Sequence, residues 1–142
     1  DMSRFSKPGS VDVKELCEVY PFKQVHQMIS TIESEIDQNL NFGKIISSTF
    51  PMGSMTGAPK IKAMKIIDDF EVSKRGLYSG AVGYIDPEKN FDFNVVIRSL
   101  IYNSKLGYLS FHVGSAITAK STPIDEYNEC LLKGEAMILS LN

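Results

Sequence analysis

Three stretches of this chain carry residue types at spacings that suit chemistry. The first is Gly53-Ser54-Met55-Thr56-Gly57-Ala58-Pro59-Lys60. Two glycines let backbone approach a ligand closely, and Ser54 and Thr56 supply hydroxyl donors. A helix starting after the loop would aim its free N–H groups and positive dipole end back at it. Lys60 adds a full charge. Such a loop suits an anion, although it is not a GxxxxGK[ST] phosphate loop. The plainer reading, a glycine-bearing start of a helix, comes first from physics alone.

The second stretch is Glu126, Glu129 and Lys133. Spacings of three and seven put them on one face of a helix. Two carboxylates there suit Mg²⁺, which takes few protein ligands and keeps waters; they also suit a solvated face with ordinary ion pairs. The third is Arg98, inside the apolar run Asn94-Val95-Val96-Ile97-Arg98-Ser99-Leu100-Ile101. An arginine in such a strand either meets an anion, such as a substrate carboxylate, or faces solvent. Tyr78, between Gly76 and Gly80, is a candidate contact or a core residue at a strand start. His26 and His112 have no Cys or second His at ligand spacing and read as ordinary surface or core histidines.

The elements that must position these residues are legible from pattern. Ser6 to Ser10 is turn chemistry, and Val11 to Tyr20 is partly β-like. A long strand is expected over Val25 to Ile36. Phe42, Ile45, Ile46 and Phe50 have helical spacing, and that helix ends at Pro51. A loop follows, then a helix from Ala58 to about Phe70 with Pro59 in its first turn and Ile61, Met64, Ile67 and Phe70 on one face. Three strands are expected over Ser79–Asp86, Phe91–Tyr102 and Tyr108–Ala119, joined by hairpin connections at 86–90 and 103–107. The last helix opens at Thr122, with Pro123 first and Asp125 completing a capping box. Its stripe of Tyr127, Leu131, Ile138 and Leu141, with Cys130 and Met137, is expected to be buried. Antiparallel strands with helices packed outside give an α+β class.

Bulk properties narrow the function further. The 142 residues amount to about one ordinary domain, and 43% hydrophobic with 23% charged residues argues against disorder. A net charge of −2 argues against a nucleic-acid groove. No apolar run approaches the roughly 20 residues of a membrane helix, and the first residues do not resemble a signal peptide. Cys17 and Cys130 form no CxxC pair, which fits reduced thiols in the cytoplasm. The opening lacks an initiator-like segment, so a piece of a longer chain is expected.

Taken in order, these motifs resemble those of the chorismate-binding enzymes. Phe50-Pro51-Met52-Gly53-Ser54-Met55-Thr56-Gly57-Ala58-Pro59-Lys60 is similar to the family's FPxG[ST]xxGAPK. The likeness continues through Ala63-Met64, through Arg75-Gly76 and Tyr78 to Gly80-Ala81-Val82-Gly83-Tyr84, and through Ile97-Arg98. It ends in Glu126-Tyr127, Glu129 and Lys133. At the start, Asp1-Met2-Ser3-Arg4 and Lys7-Pro8-Gly9-Ser10-Val11 resemble the DLGRV…GSV segment. The resemblance covers essentially the whole chain.

The resemblance implies the C-terminal half of an anthranilate synthase component I-like fold that binds chorismate with Mg²⁺ between β-sheets. It implies that Tyr78 and Arg98 hold the enolpyruvyl carboxylate, together with backbone in Gly114-Ser115-Ala116, where Ala116 stands for the second glycine of an AGxG strand end. Ser54 and Thr56 would line the ring side, with Gly57 and Lys60 in the same substrate loop. Glu129 would be a Mg²⁺ ligand, and Glu126 and Lys133 its catalytic neighbours. Where the family often has VHHxxS, this chain has Val25-His26-Gln27-Met28-Ile29-Ser30. Gln27 takes the substrate-facing position, where it donates a hydrogen bond but cannot serve as a general acid. The Ser54/Thr56 pair resembles the branch that aminates chorismate to 4-amino-4-deoxychorismate with ammonia from a glutamine amidotransferase partner. Anthranilate synthase component I is the alternative, and a catalytically incompetent binding fragment is a third reading. A half-domain would also leave sheet edges unpaired and tend to self-associate.

Overall fold

The structure is a computed structural model and describes residues 1–22 and 26–141. The chain divides into two units, Asp1–Asp69 and Phe70–Asn142. The first unit begins with a single helical turn, Met2–Arg4, followed by strands β1 (Asp12–Pro21) and β2 (His26–Glu33). Helices α1 (Phe42–Thr49), α2 (Gly53–Thr56) and α3 (Lys60–Phe70) follow. The second unit contains β3 (Ala81–Ile85), β4 (Phe91–Val95), β5 (Ile101–Asn103), β6 (Tyr108–Ser110) and α4 (Pro123–Leu139). The strands pair antiparallel as β1–β2, β3–β4 and β5–β6, which agrees with the α+β class read from the sequence. No helix among the described residues is long and apolar enough to cross a membrane.

Local chemistry explains most boundaries. Asn41 caps α1 by accepting the Lys44 backbone N–H on its side-chain oxygen at 2.8 Å. The β3–β4 turn is closed by Asp86, whose carboxylate accepts both the backbone N–H (2.7 Å) and the side-chain amide (2.9 Å) of Asn90. In the β5–β6 turn Asn103 accepts the Lys105 and Leu106 N–H groups, and Gly107 takes a φ of +59°. Both hairpin connections therefore stand where the turn residues put them.

Several boundaries differ from the pattern. The strand expected from Val25 is β2, ending at Glu33, and Ile36 makes only an isolated bridge to Ser6; Val25 itself lies outside the described residues. The β1–β2 register shifts between Val13 and Glu15 and again between Glu15 and Glu18. Cys17, in the second of these irregularities, has a φ of +57°, the left-handed conformation that one class of bulge uses. The expected strand 91–102 is broken at Arg98, whose φ of +49° turns the chain out of the extended region. The expected strand 108–119 is a ladder only to Ser110. Beyond that point the backbone of Gly114 and the side chain of Ser115 bond to side chains of α4 instead of another strand.

The helices also correct the sequence reading. The loop after Pro51 contains the short turn α2. Helix α3 begins at Lys60, so Pro59 precedes it, and its carbonyl accepts the Ala63 N–H at 3.0 Å. Thr122 caps α4 and Pro123 leads it, as expected, but the Thr122 hydroxyl bonds the Asp125 carboxylate and not a backbone N–H. Of the stripe expected to be buried, Cys130 and Met137 are partly covered, but Tyr127, Leu131, Ile138 and Leu141 are exposed, Leu131 and Ile138 at 54% each. The partly covered positions of α4 are Glu126, Cys130, Lys133, Gly134 and Met137. These share a face at helical spacing, so a mixed face carrying Glu126 and Lys133 beside Cys130 and Met137, and not the Leu131/Ile138 line, is turned toward its own unit. Gly134 marks the close approach, since a Cβ there would lie 3.7 Å from Phe111.

Candidate functional site

The glycine loop of the first unit is organised around Lys60. Its side chain is 8% exposed, and its ammonium lies 2.6 Å from the Asp1 carboxylate and donates to the Thr49 carbonyl at 3.2 Å. Burial, and then the charge of Arg4, push its pKa down, while the Asp1 carboxylate opposes that shift and holds the proton. The charge that the sequence offered to an incoming anion is therefore paired within the unit. Thr56 bonds back to the Met52 carbonyl at 3.0 Å, whereas Ser54 is exposed. Gly57 adopts a φ of +119°, which a Cβ would strain, and a Cβ there would also meet that of Ala63 at 3.3 Å. Gln27 sits opposite Tyr20 in the β1–β2 ladder, exposed, with its side-chain amide donating to the Met28 carbonyl at 3.3 Å. It shares no hydrogen bond with Ser54, Thr56 or Lys60 among the described residues.

The second unit brings together residues that the sequence holds far apart. Tyr78 lies in the turn before β3, half-buried, with its ring stacked on His112 at 5.6 Å between centroids and 22° between planes. Its hydroxyl reaches Gly114: a Cβ on that glycine would stand 2.9 Å from it. The Gly114 carbonyl accepts from Lys133 Nζ at 2.9 Å, and Lys133 pairs with Glu129 at 2.5 Å. The Ser115 hydroxyl donates to Glu126. The hydrogen bond and the charge of Lys133 hold Glu129 below the usual carboxylate range. Tyr78, Gly114, Ser115, Glu126, Glu129 and Lys133 thus form one cluster, with α4 supplying three charged groups and the 111–116 segment supplying backbone and a hydroxyl.

Ala116 and Arg98 stand differently. Ala116 is exposed, and its carbonyl accepts from the Ser121 hydroxyl at 3.3 Å. Arg98 is exposed in the bend after β4 and makes no ion pair among the described residues. Its guanidinium is free to meet a carboxylate, but the structure does not bring it into the hydrogen-bonded cluster. The turn that carries Tyr78 is itself braced. Arg75 bonds both oxygens of Glu71, at 2.6 to 3.2 Å, and donates to Ser79 at 3.2 Å.

Two participants were not singled out by sequence reasoning. His112 read as an ordinary histidine, yet its ring lies on Tyr78 and its Nδ1 is buried without a hydrogen-bond partner. Its two-residue separation from Gly114 in an extended segment was the available signal. Asp1, noted only within a motif, is the counter-ion of Lys60. As for a metal, no group of three or more His, Cys, Asp or Glu side chains converges among the described residues. The donor set is the pair Glu126 and Glu129. Two carboxylates suit Mg²⁺, a hard cation bound by one or two protein carboxylates with waters completing its shell.

Comparisons with known proteins point to one family. The sequence profile described as chorismate binding enzyme matches residues 1–139. The chain is 45% identical over 136 residues to a probable aminodeoxychorismate synthase, chloroplastic, of Oryza sativa subsp. japonica, covering 96% of this chain and 15% of that protein. It is 39% identical over 129 residues to aminodeoxychorismate synthase component 1 of Klebsiella aerogenes, covering 91% of this chain and 28% of that one. Among solved structures, anthranilate synthase component I from Streptococcus pneumoniae superimposes with a TM-score of 0.83 at 31% identity, covering 96% of this chain and 31% of that chain. The chain thus spans less than a third of each of these three proteins.

Proposed function

This chain belongs to the chorismate-binding enzymes, and from that premise we propose that it contributes to a longer enzyme that aminates chorismate to 4-amino-4-deoxychorismate, as a portion of its chorismate-binding domain. Likeness to two aminodeoxychorismate synthases over more than nine-tenths of the chain carries this reading. In it, Tyr78, Arg98 and the backbone at Gly114, Ser115 and Ala116 bind the enolpyruvyl carboxylate. Exposed Arg98 is poised to pair with it as a charge-assisted fork. Ser54, Thr56, Gly57 and Gln27 face the ring side. Lys60 acts there by shaping the loop through Asp1 and Thr49. Ammonia comes from a glutamine amidotransferase partner, and the product lies on the route to folate.

Glu129, with Glu126 beside it, would hold Mg²⁺. Bound there, the ion would neutralise a substrate carboxylate and polarise the ring toward loss of its hydroxyl. The chain's own groups prepare that place. Lys133 keeps Glu129 ionised, so no proton has to leave before a cation binds. Lys133, fixed to the Gly114 carbonyl, is positioned to steady the backbone that receives the substrate carboxylate. The unpaired cysteines, Cys17 and Cys130, favour a reducing compartment such as the cytoplasm.

The test uses the full-length enzyme with chorismate, Mg²⁺ and ammonia, separating products by chromatography. Formation of 4-amino-4-deoxychorismate is expected, and Glu129→Gln should demand more Mg²⁺ for the same rate. Anthranilate with release of pyruvate would assign the chain to anthranilate synthase component I, the reading that the Streptococcus pneumoniae structure favours.

A further inference from the structure

We propose that His112 is a positioning residue for Tyr78, holding the phenol ring by stacking so that its hydroxyl stays against the Gly114 backbone. The proposal rests on the reading of Tyr78 as a substrate-carboxylate contact. Three observations meet at this point. The rings are 5.6 Å apart and within 22° of parallel, an offset stack. The His112 Nδ1 is buried and has no hydrogen-bond partner among the described residues. The Tyr78 hydroxyl stands where a Cβ on Gly114 would be, 2.9 Å away.

The orphaned nitrogen indicates what the imidazole does. A buried polar atom without a partner carries a desolvation cost and returns no hydrogen bond. The imidazole also lies near enough to the Glu71 carboxylate to help lower its pKa, and what it presents to Tyr78 is its flat face. The rest of the turn is fixed through backbone and neighbours. The Tyr78 N–H bonds the Arg75 carbonyl at 3.0 Å, Ser79 N–H bonds the Val96 carbonyl at 2.9 Å, and Arg75 is clamped to Glu71. These contacts place the Tyr78 backbone and leave the ring orientation to its stacking partner. Because His112 and Gly114 are two apart in an extended segment, they present to the same side. One segment thus carries both the support of the ring and the surface its hydroxyl meets.

Kinetics and a spectroscopic signal in the full-length enzyme test this. Tyr78→Phe, His112→Ala, His112→Phe and the double variant Tyr78→Phe/His112→Ala are compared for kcat and KM toward chorismate. Selective ¹³C labelling of tyrosine, with Tyr78 assigned through Tyr78→Phe, reports the ring-current shift of the stack. His112→Ala is expected to raise KM about tenfold, the scale of one well-placed hydrogen bond, with kcat little changed. His112→Phe should restore KM and the shifted Tyr78 signal, and the double variant should be no worse than Tyr78→Phe alone. The proposal is overturned if His112→Ala leaves the Tyr78 signal in place, if His112→Phe fails to rescue, or if the two single effects multiply in the double variant. Should Tyr78→Phe leave KM unchanged, the carboxylate reading of Tyr78 fails; the stacking proposal then stands or falls on the ring signal in His112→Ala and His112→Phe.

Discussion

Lys60 in the first unit was read from the sequence as a cation for an anionic ligand and Lys133 in the second as a catalytic neighbour of Glu129, and the structure gives their ammonium groups different surroundings. Lys60 is buried, paired to Asp1 and bonded to the Thr49 carbonyl; its charge is spent holding the glycine loop to the first turn of the chain. Lys133 is about one-third exposed, pairs with a half-exposed Glu129, and reaches a backbone carbonyl beside Tyr78. The difference teaches that a lysine's role follows from what surrounds its ammonium. A desolvated pair is a structural fixture, because removing one partner strands the other. A partly solvated pair is cheap to rearrange and stays available to a ligand.

The largest effect expected from this contrast is on stability at Lys60. Lys60→Met in the full-length enzyme should cost about 2 kcal/mol in denaturant unfolding, below the full buried-pair penalty because Asp1 remains partly solvated. Adding Asp1→Asn should recover part of that loss. A variant that unfolds like the parent but has a raised chorismate KM would reverse the comparison and make Lys60 a substrate anchor. Close behind is Arg98→Ala, where loss of a charge-assisted carboxylate contact should raise KM roughly thirtyfold, about 2 kcal/mol, with the midpoint of unfolding unmoved. Unchanged kinetics would leave Arg98 as a solvated bend residue.

A smaller effect should follow from Gly114→Ala. The added methyl would meet the Tyr78 hydroxyl, so the ring must shift, and KM should rise about fivefold, near 1 kcal/mol. Relief of that increase in Gly114→Ala/Tyr78→Phe, relative to Tyr78→Phe alone, is the check. An increase that persists in full would locate the cause in the backbone. The smallest effect concerns pH. Glu129 is held below its ordinary range by the hydrogen bond and charge of Lys133. Its contribution to stability is therefore complete above the unfolded carboxylate pKa of about 4.3 and fades as pH falls through the depressed folded value. NMR titration of the Glu129 carboxyl should move upward in Lys133→Met, and a curve identical to the parent's would remove the pair from the account.

The relation between stripe and site shows where sequence reading stops. Periodicity identified α4, its Thr122-Pro123 start and the shared face of Glu126, Glu129 and Lys133, because helix geometry is local and repeats every 3.6 residues. It then assigned the apolar stripe to the interior by default. The described residues leave Leu131 and Ile138 largely exposed and turn Glu126 and Lys133 toward the segment holding Gly114 and Ser115. Burial depends on what is present to cover a face, and no helical period encodes that.

Read alone, the sequence determined the α+β class, the two hairpins, three of the helices and, through colinear motifs, the family. Those properties rest on turn chemistry, periodicity and ordered motifs, all written along the chain. Tertiary structure decided that Arg98 breaks its strand in a left-handed bend, that Lys60 is consumed by Asp1, and that His112 lies on Tyr78 while Tyr78 meets Gly114. Each of these depends on atoms brought together across dozens of intervening residues or on one backbone torsion, and neither leaves a period in the sequence.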